Sequence, residues 1–233
     1  MDIRIIASGS RGNCYIVSDG RTSLMLECGI SYKDIQKALN FNLKGISACL
    51  ISHEHKDHSR AAEDILKRGI QIYTSGGTAK ALGVENYLLR PIENKKVFSV
   101  GSFDIMPFDL RHDCAEPFGY LIKSSLTAEK LVFITDTFYC PYKFKELTHI
   151  MIECNYIDDL TEGTNTELLK RLYKSHMSLD ACLDFLKANV LSKVKEIVLL
   201  HLSDERSDEK MILEAVQKVT GKYVRVANSK EYD

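Results

Sequence analysis

The sequence lacks the features that mark secreted, membrane-embedded or zinc-finger proteins. Its seven cysteines are an odd number and include no C-x-x-C pair, which argues against a disulfide framework and a zinc finger. No apolar run approaches the roughly 20 residues of a membrane-spanning helix. The N-terminus has no basic segment followed by an apolar core and a cleavage site, so no signal peptide is expected. We therefore expect a reduced, cytoplasmic protein that does not bind membranes.

An excess of charge of one sign is also lacking. Lys and Arg total 31 against 32 Asp and Glu, a formal net charge of -1, so the chain has no bulk attraction for nucleic acid or anionic lipid. A polyanionic partner would have to bind a local patch. Only 4 prolines are present, and no Pro-, Gly- or Ser-rich linker divides the chain. We therefore predict a single packed domain over residues 1–233.

Patterns typical of strands and of helices alternate along the chain. Apolar β-rich runs occur between residues 3 and 26, at 46–52, and several times between 97 and 134. Helical spacing occurs near residues 31–39 and 60–68 and in three segments after residue 165. These patterns predict an α/β fold. The order favours a four-layer αβ/βα sandwich of two mixed β-sheets flanked by helices, although periodicity alone does not distinguish it from other layered α/β arrangements.

A dense group of ionisable residues follows the strand predicted at 46–52. Residues 53–58 read H-E-H-K-D-H, which places three imidazoles and a carboxylate within six positions. On a tightly turning loop, His53 and His55 can chelate one ion while Asp57 and His58, beyond the bend, face a second. Imidazole nitrogen and carboxylate oxygen suit Zn²⁺, Fe²⁺ or Mn²⁺. A solvated polar loop is the alternative, but this density of ligands favours a metal site.

This loop matches, without a substitution, the H-x-H-x-D-H motif of the metallo-β-lactamase superfamily, which the chain resembles over nearly its whole length. His112 resembles the histidine of the family's third motif, Asp136 the carboxylate that bridges two metals, and His201 the last ligand histidine. The resemblance implies two divalent ions, Zn²⁺ or Mn²⁺. It implies His53, His55 and His112 as ligands of one ion, Asp57, His58 and His201 as ligands of the other, and Asp136 between them.

Three further segments resemble the YycJ/WalJ-like branch of this superfamily. Residues 7–15, A-S-G-S-R-G-N-C-Y, are similar to its S-G-S-x-G-N motif, residues 151–156 to its E-x-N element, and residues 175–178 to its G-H-L-S element. Glycines and small hydroxyls can bind phosphate. A plain β-turn is the alternative for the first segment. The residues assigned to phosphate binding or to support of the metal ligands are Ser8, Ser10 and Asn13.

Two more residues receive roles from these motifs. His176 precedes a predicted helix, and we assign it to phosphate binding or general-acid catalysis, with a capping role as the alternative. Glu27 stands where the family usually has Asp in a strand-ending D-x-G, and we expect it to orient a ligand histidine. The predicted catalytic residues are Asp57, Asp136 and His176.

The resemblance implies a dinuclear metal-dependent phosphodiesterase. The YycJ/WalJ-like branch is associated with exonuclease action, so nucleic acid, DNA rather than RNA, is the expected substrate and a metal-bound hydroxide the expected nucleophile. The acidic segment after His201 lacks the paired asparagines of that branch, and its charge would repel a phosphate backbone if the segment lined the cleft. Two other functions stay open, namely hydrolysis of a small ester, thioester or lactone, and a non-catalytic metal-binding scaffold. The sequence does not indicate an oligomeric state.

Overall fold

The computed structural model describes residues 1–161 and 165–227 and contains two compact units. Within these residues, unit one comprises Met1–Asp109 and Cys114–Ala128, and unit two comprises Leu110–Asp113 and Glu129–Ala227. The described strands belong to two mixed β-sheets of six and seven strands with flanking helices, which confirms the predicted α/β class. A single domain over 1–233 stays a prediction.

Unit one contains the six-stranded sheet, in which each strand pairs with the next along the chain. The first three strands are antiparallel, and the third to the sixth are parallel. The sixth strand was not predicted, because it contains Pro91 and two exposed positions, a composition that suits only the edge of a sheet. The strands are β1 Asp2–Ala7, β2 Cys14–Ser18, β3 Ser23–Leu26, β4 Ala48–Leu50, β5 Ile72–Ser75 and β6 Leu89–Ile92.

Short helices connect the parallel strands of unit one. Ser31 caps the first of them, since its side chain accepts a hydrogen bond from the Asp34 amide. Apolar side chains of these helices, including Ile35 and Ile65, join the buried cluster that contains Met25 and Cys49 of the sheet. The helices are α1 Tyr32–Ala38, α2 Lys56–Ser59, α3 Ala62–Lys67 and α4 Gly76–Leu82, with a 3₁₀ turn at Leu43–Gly45.

Three antiparallel strands complete unit one, namely β7 Phe98–Val100, β8 Phe103–Asp109 and β9 Phe118–Ser124. None of the described helices has both the length and the apolar character that crossing a bilayer requires.

Unit two is built on four parallel strands. They are β10 Lys130–Ile134, β11 His149–Glu153, β12 Glu196–Leu200 and β13 Tyr223–Val226. The first three are nearly continuous apolar runs with almost every residue buried, as expected of parallel strands covered on both faces. The helices are α5 Thr166–Ser175, α6 Leu179–Ala188 and α7 Glu209–Thr220, with a 3₁₀ turn at Asp158–Thr161. Since parallel strands share one carboxyl edge, residues that follow them come together there.

Candidate metal centre

The H-E-H-K-D-H loop of unit one begins just after the buried strand β4. His55 has an extended backbone and caps α2, and its carbonyl accepts hydrogen bonds from the amides of His58 and Ser59 at 2.9 and 3.0 Å. Asp57 and His58 therefore lie on a single helical turn beyond a bend. The ring centroid of His53 is 4.7 Å from that of His55 and 4.1 Å from that of His58. The loop thus gathers three imidazoles.

Neighbouring side chains fix the orientation of two of these imidazoles. His53 Nδ1 lies 2.9 Å from Ser52 Oγ, which makes Nε2 the nitrogen that His53 can offer to a metal. His58 Nδ1 lies 3.6 Å from Glu27 Oε2, and the buried Glu27 carboxylate also accepts a hydrogen bond of 3.1 Å from the Ser52 amide. Burial raises the pKa of Glu27 against the opposing effects of His58 and Ser52. Such contacts orient metal ligands and tune their basicity.

The loop at residues 8–13 supports the H-E-H-K-D-H loop at residues 53–58, here called the histidine loop, through Asn13. The buried Asn13 donates from Nδ2 to the Asp57 carbonyl at 3.1 Å, and this nitrogen lies 3.2 Å from His58 Nε2. Ser8 Oγ lies 2.8 Å from the Tyr15 hydroxyl, and Ser10 lines a surface cavity. Of the three residues assigned to phosphate binding or support, Asn13 therefore has a hydrogen bond to the histidine loop within unit one.

In unit two, three adjacent parallel strands each lead into an ionisable residue. Asp136 follows β10, Glu153 ends β11, and His201 follows β12. With His176, which lies between α5 and α6, they form a group in which each residue offers one ligand atom within 4.8 Å of the others. His201 Nδ1 lies 3.5 Å from Asp136 Oδ1 and 3.4 Å from Glu153 Oε1. The carboxyl edge of this sheet therefore concentrates carboxylates and imidazoles.

His112 joins the same edge within unit two. Its Nδ1 donates to the Ser175 carbonyl at 2.8 Å, and its Nε2 lies 3.8 Å from Asp136 Oδ2 and 3.4 Å from Asp113 Oδ1. Burial lowers the pKa of His112, although Asp136 opposes this effect. A neutral imidazole whose Nδ1 donates to a carbonyl presents Nε2, the form in which histidine binds metals.

Glu153 was not among the predicted site residues. Its fully buried carboxylate lies 2.6 Å from His176 Nδ1 and accepts hydrogen bonds from the amides of Thr137 at 2.9 Å and Met177 at 3.2 Å. Burial raises the pKa of Glu153, but His176 and His201 lower it more, so it lies below its ordinary value. Glu153 in turn raises the pKa of His176 against the effect of burial. An acidic residue ending an otherwise apolar buried strand was the signal that could have identified it.

Three of the candidate residues adopt left-handed backbone conformations at the ends of buried strands. The φ angles are 62° for Glu27, 33° for Asp136 and 54° for His201. Non-glycine residues in this region cost about 1 kcal/mol or more and are common at functional sites. Asn155 supports the turn at His201, because its Nδ2 donates to the His201 carbonyl at 2.7 Å. All three of the left-handed residues therefore lie where the chain leaves a buried strand.

Replacing Glu153 by glutamine is expected to weaken metal binding by about 10- to 100-fold, the usual effect of losing a group that orients metal ligands. The amide keeps the size of the side chain but removes the charge that faces His176 and His201. Calorimetric titration of the stripped protein with Mn²⁺ or Zn²⁺ measures the change. Glu167, exposed on α5, provides the matched control Glu167→Gln. Equal affinity in both variants would show that the charge of Glu153 does not support metal binding.

Comparisons with known proteins identify the family of the chain and its relatives. A family model described as "Beta-lactamase superfamily domain" matches residues 26–202. The chain is 27% identical to the exodeoxyribonuclease YycJ of Bacillus anthracis, with 92% of this chain and 87% of that protein covered. It is also 27% identical to the exodeoxyribonuclease WalJ of Streptococcus pneumoniae, with coverages of 87% and 82%.

Solved structures match nearly the whole chain. The metallo-β-lactamase fold protein YhfI of Bacillus subtilis matches with a TM-score of 0.77 and 17% identity over 97% of this chain and 96% of that one. The short form of human tRNase Z matches with a TM-score of 0.65 and 16% identity over 98% and 96%. At these identities the matches establish the fold.

Proposed function

The chain belongs to the beta-lactamase superfamily domain family and has the metallo-β-lactamase fold, and from this premise we propose that it is a dinuclear phosphodiesterase that degrades nucleic acid. The coarser function, metal-dependent hydrolase, follows from the family, the fold and the candidate metal ligands. Two ions, the phosphodiester substrate and exonuclease action are the parts that the proposal adds.

The observation that carries the proposal is the kind of metal-binding atoms that the site offers. Asp136 and Glu153 are 3% and 0% exposed and lie beside the imidazoles of His176 and His201. Two buried carboxylates in one group are costly unless cations compensate them. Imidazole nitrogens and carboxylate oxygens without a thiolate fit Zn²⁺ or Mn²⁺. The residues present therefore fit divalent metal ions.

We assign the ligands as follows. One ion would bind His53, His55 and His112, the other would bind Asp57, His58 and His201, and Asp136 would be shared. In support, the rings of His53, His55 and His58 lie together in unit one, and His112, Asp136 and His201 share the carboxyl edge of the sheet in unit two. When bound, divalent ions supply Lewis-acid activation of the phosphoryl group and of the attacking water.

The chain's own residues would position the substrate and handle the proton of the leaving group. His176 is held at Nδ1 by Glu153, so its Nε2 is the atom that can contact a phosphate oxygen or protonate the departing alkoxide. The Ser175 carbonyl contacts Nδ1 of His112, and the Ser52 hydroxyl contacts Nδ1 of His53. These contacts leave the Nε2 atom of each ring to bind a metal ion. Asp57 and Asp136 would orient the attacking water.

The relatives support DNA as the substrate. Both YycJ and WalJ are named exodeoxyribonucleases, and each is covered over more than four-fifths of its length.

The test is degradation of end-labelled single-stranded DNA by protein that has been stripped with a chelator and reloaded with Mn²⁺ or Zn²⁺. We expect loss of label only with metal, two ions per chain by elemental analysis, and no cleavage by Asp57→Asn, which controls for contaminating nucleases. A chromogenic phosphodiester, an RNA of the same sequence and a thioester panel run in parallel. Thioester turnover without cleavage of any phosphodiester would refute the proposal.

A further inference from the structure

A cavity on unit one, here called the basic cavity, opens beside Asp57. Its volume is about 360 Å³, and its lining carries three cationic side chains but a single carboxylate, that of Asp57. The lining residues are Ser10, Arg11, Gly29, Lys56, Asp57 and Arg60. The chain as a whole has a net charge of -1, so this positive concentration is local. An anion is the ligand that this lining favours.

Backbone hydrogen bonds join the chain segments that line the basic cavity. The Asn13 amide donates to the Asp57 carbonyl at 2.8 Å, the Gly29 amide to the Asn13 carbonyl at 2.8 Å, and the Cys28 amide to the His58 carbonyl at 2.9 Å. The three segments that carry Arg11, Gly29 and Asp57 are therefore held in fixed relation. A preformed cavity avoids the free-energy cost of ordering loops when a ligand binds.

Two of the cationic side chains, Lys56 and Arg60, lie close together and destabilise the short helix that carries them. Lys56 and Arg60 are exposed and separated by one helical turn, since the Arg60 amide donates to the Lys56 carbonyl. Like charges at this spacing destabilise a helix. In residues 1–161 and 165–227 neither side chain has a carboxylate partner, whereas basic side chains elsewhere, such as Lys96 and Lys193, pair with glutamates. A bound anion would relieve this repulsion.

We infer that the basic cavity binds a backbone phosphate of a nucleic-acid strand, adjacent to the phosphodiester that is cleaved. The inference rests on the proposed function. Asp57 lines the cavity and is also a proposed metal ligand, so the cavity would lie next to the phosphate that reacts. The guanidinium groups of Arg11 and Arg60 can bind phosphate through two hydrogen bonds each, and the Ser10 hydroxyl adds a donor. A phosphate contact fixes the register of the strand but does not read its sequence.

The positive surface is limited in extent. Lys56 and Arg60 also line a second cavity of about 280 Å³, where Lys67 adds a third cation but Glu63 and Asp64 add two carboxylates. The net positive charge of this lining is therefore smaller than that of the basic cavity. The basic cavity therefore has room and charge for one or two phosphates. DNA and RNA have the same phosphate group, so we expect the basic cavity to bind both.

The test measures binding rather than cleavage, using metal-loaded protein and fluorescently labelled phosphorothioate oligonucleotides, one DNA and one RNA, by anisotropy over a range of NaCl concentrations. Arg60→Gln and Arg11→Gln are each expected to weaken binding about tenfold at low salt, as loss of a charged hydrogen bond does. The slope of log Kd against log salt should fall by about 0.7 per lost contact. Arg21→Gln, at an exposed turn of unit one, is the matched control.

The outcomes separate this inference from the proposed function. A reduced slope in both cavity variants but not in the control supports the binding of a backbone phosphate in the basic cavity, even if the protein cleaves no phosphodiester. Slopes and affinities equal to those of Arg21→Gln would overturn it, even if cleavage of DNA is observed. Absence of any oligonucleotide binding by the unsubstituted protein would overturn it as well, whereas metal-dependent turnover of the chromogenic phosphodiester would still support the proposed function.

Discussion

Asp136→Asn is expected to lower kcat/KM for a phosphodiester by about 10³-fold, equivalent to about 4 kcal/mol of lost transition-state stabilisation. Asp136 is buried, and its carboxylate lies near both His112 and His201. In the proposed centre it is shared by two cations, so the loss of its charge affects both. Asparagine has nearly the same shape and can still accept the 2.7 Å hydrogen bond from the Thr135 hydroxyl, which should preserve the fold.

Steady-state kinetics on a chromogenic phosphodiester, together with metal content by elemental analysis, measure this effect. The matched control is Asp184→Asn, because Asp184 is exposed on α6 and paired only at the surface with Lys187. We expect Asp136→Asn to retain less than two ions per chain and the control to retain both. Full activity in Asp136→Asn would contradict the assignment of this carboxylate to a dinuclear centre.

Gly29→Ala is expected to lower the free energy of unfolding by about 3 kcal/mol, at the upper end of the usual cost of overpacking, and to weaken metal binding. A Cβ at Gly29 would lie 1.7 Å from the Asp57 carbonyl oxygen and 2.6 Å from the His58 amide nitrogen. Both atoms belong to the backbone, so no change of rotamer relieves the clash. The histidine loop would have to move, and with it the side chains of Asp57 and His58.

Urea denaturation of the metal-free protein measures the change in stability, and calorimetric titration measures metal affinity. Gly45→Ala is the control, because a Cβ at Gly45 would have no atom within 4 Å. It is expected to change the free energy of unfolding by no more than about 0.5 kcal/mol, as surface substitutions do. If both variants were equally stable, the close approach of Gly29 to the histidine loop would have no energetic consequence.

The sequence could predict the α/β class and the candidate residues that follow buried strands. The reason is that both signals are local. Asp136 and His201 each follow an apolar run that is visible in the sequence, and His53, His55 and His58 lie within one short loop. The predicted roles of these residues stay predictions until metal and substrate are tested.

The contacts that orient these residues could not be predicted, because they join distant parts of the chain. The Ser175 carbonyl that accepts from His112 is 63 residues away, and Glu153 is 23 residues from His176. No periodicity encodes such pairs. The strand at Leu89–Ile92 was missed for a different reason, since an exposed edge strand has no buried face to produce an apolar pattern.

The left-handed backbone of Glu27, Asp136 and His201 sets a trade-off between stability and activity. Glycine would adopt these φ angles without steric cost, so a chain optimised for folding alone would carry glycine at all three positions. Retaining acidic and imidazole side chains there lowers the free energy of unfolding by about 1 kcal/mol at each position. The three positions together are a sizeable share of the roughly 5–15 kcal/mol of a typical domain. The protein therefore has less reserve against further destabilising mutations, and compensation for that loss has to come from residues outside the site.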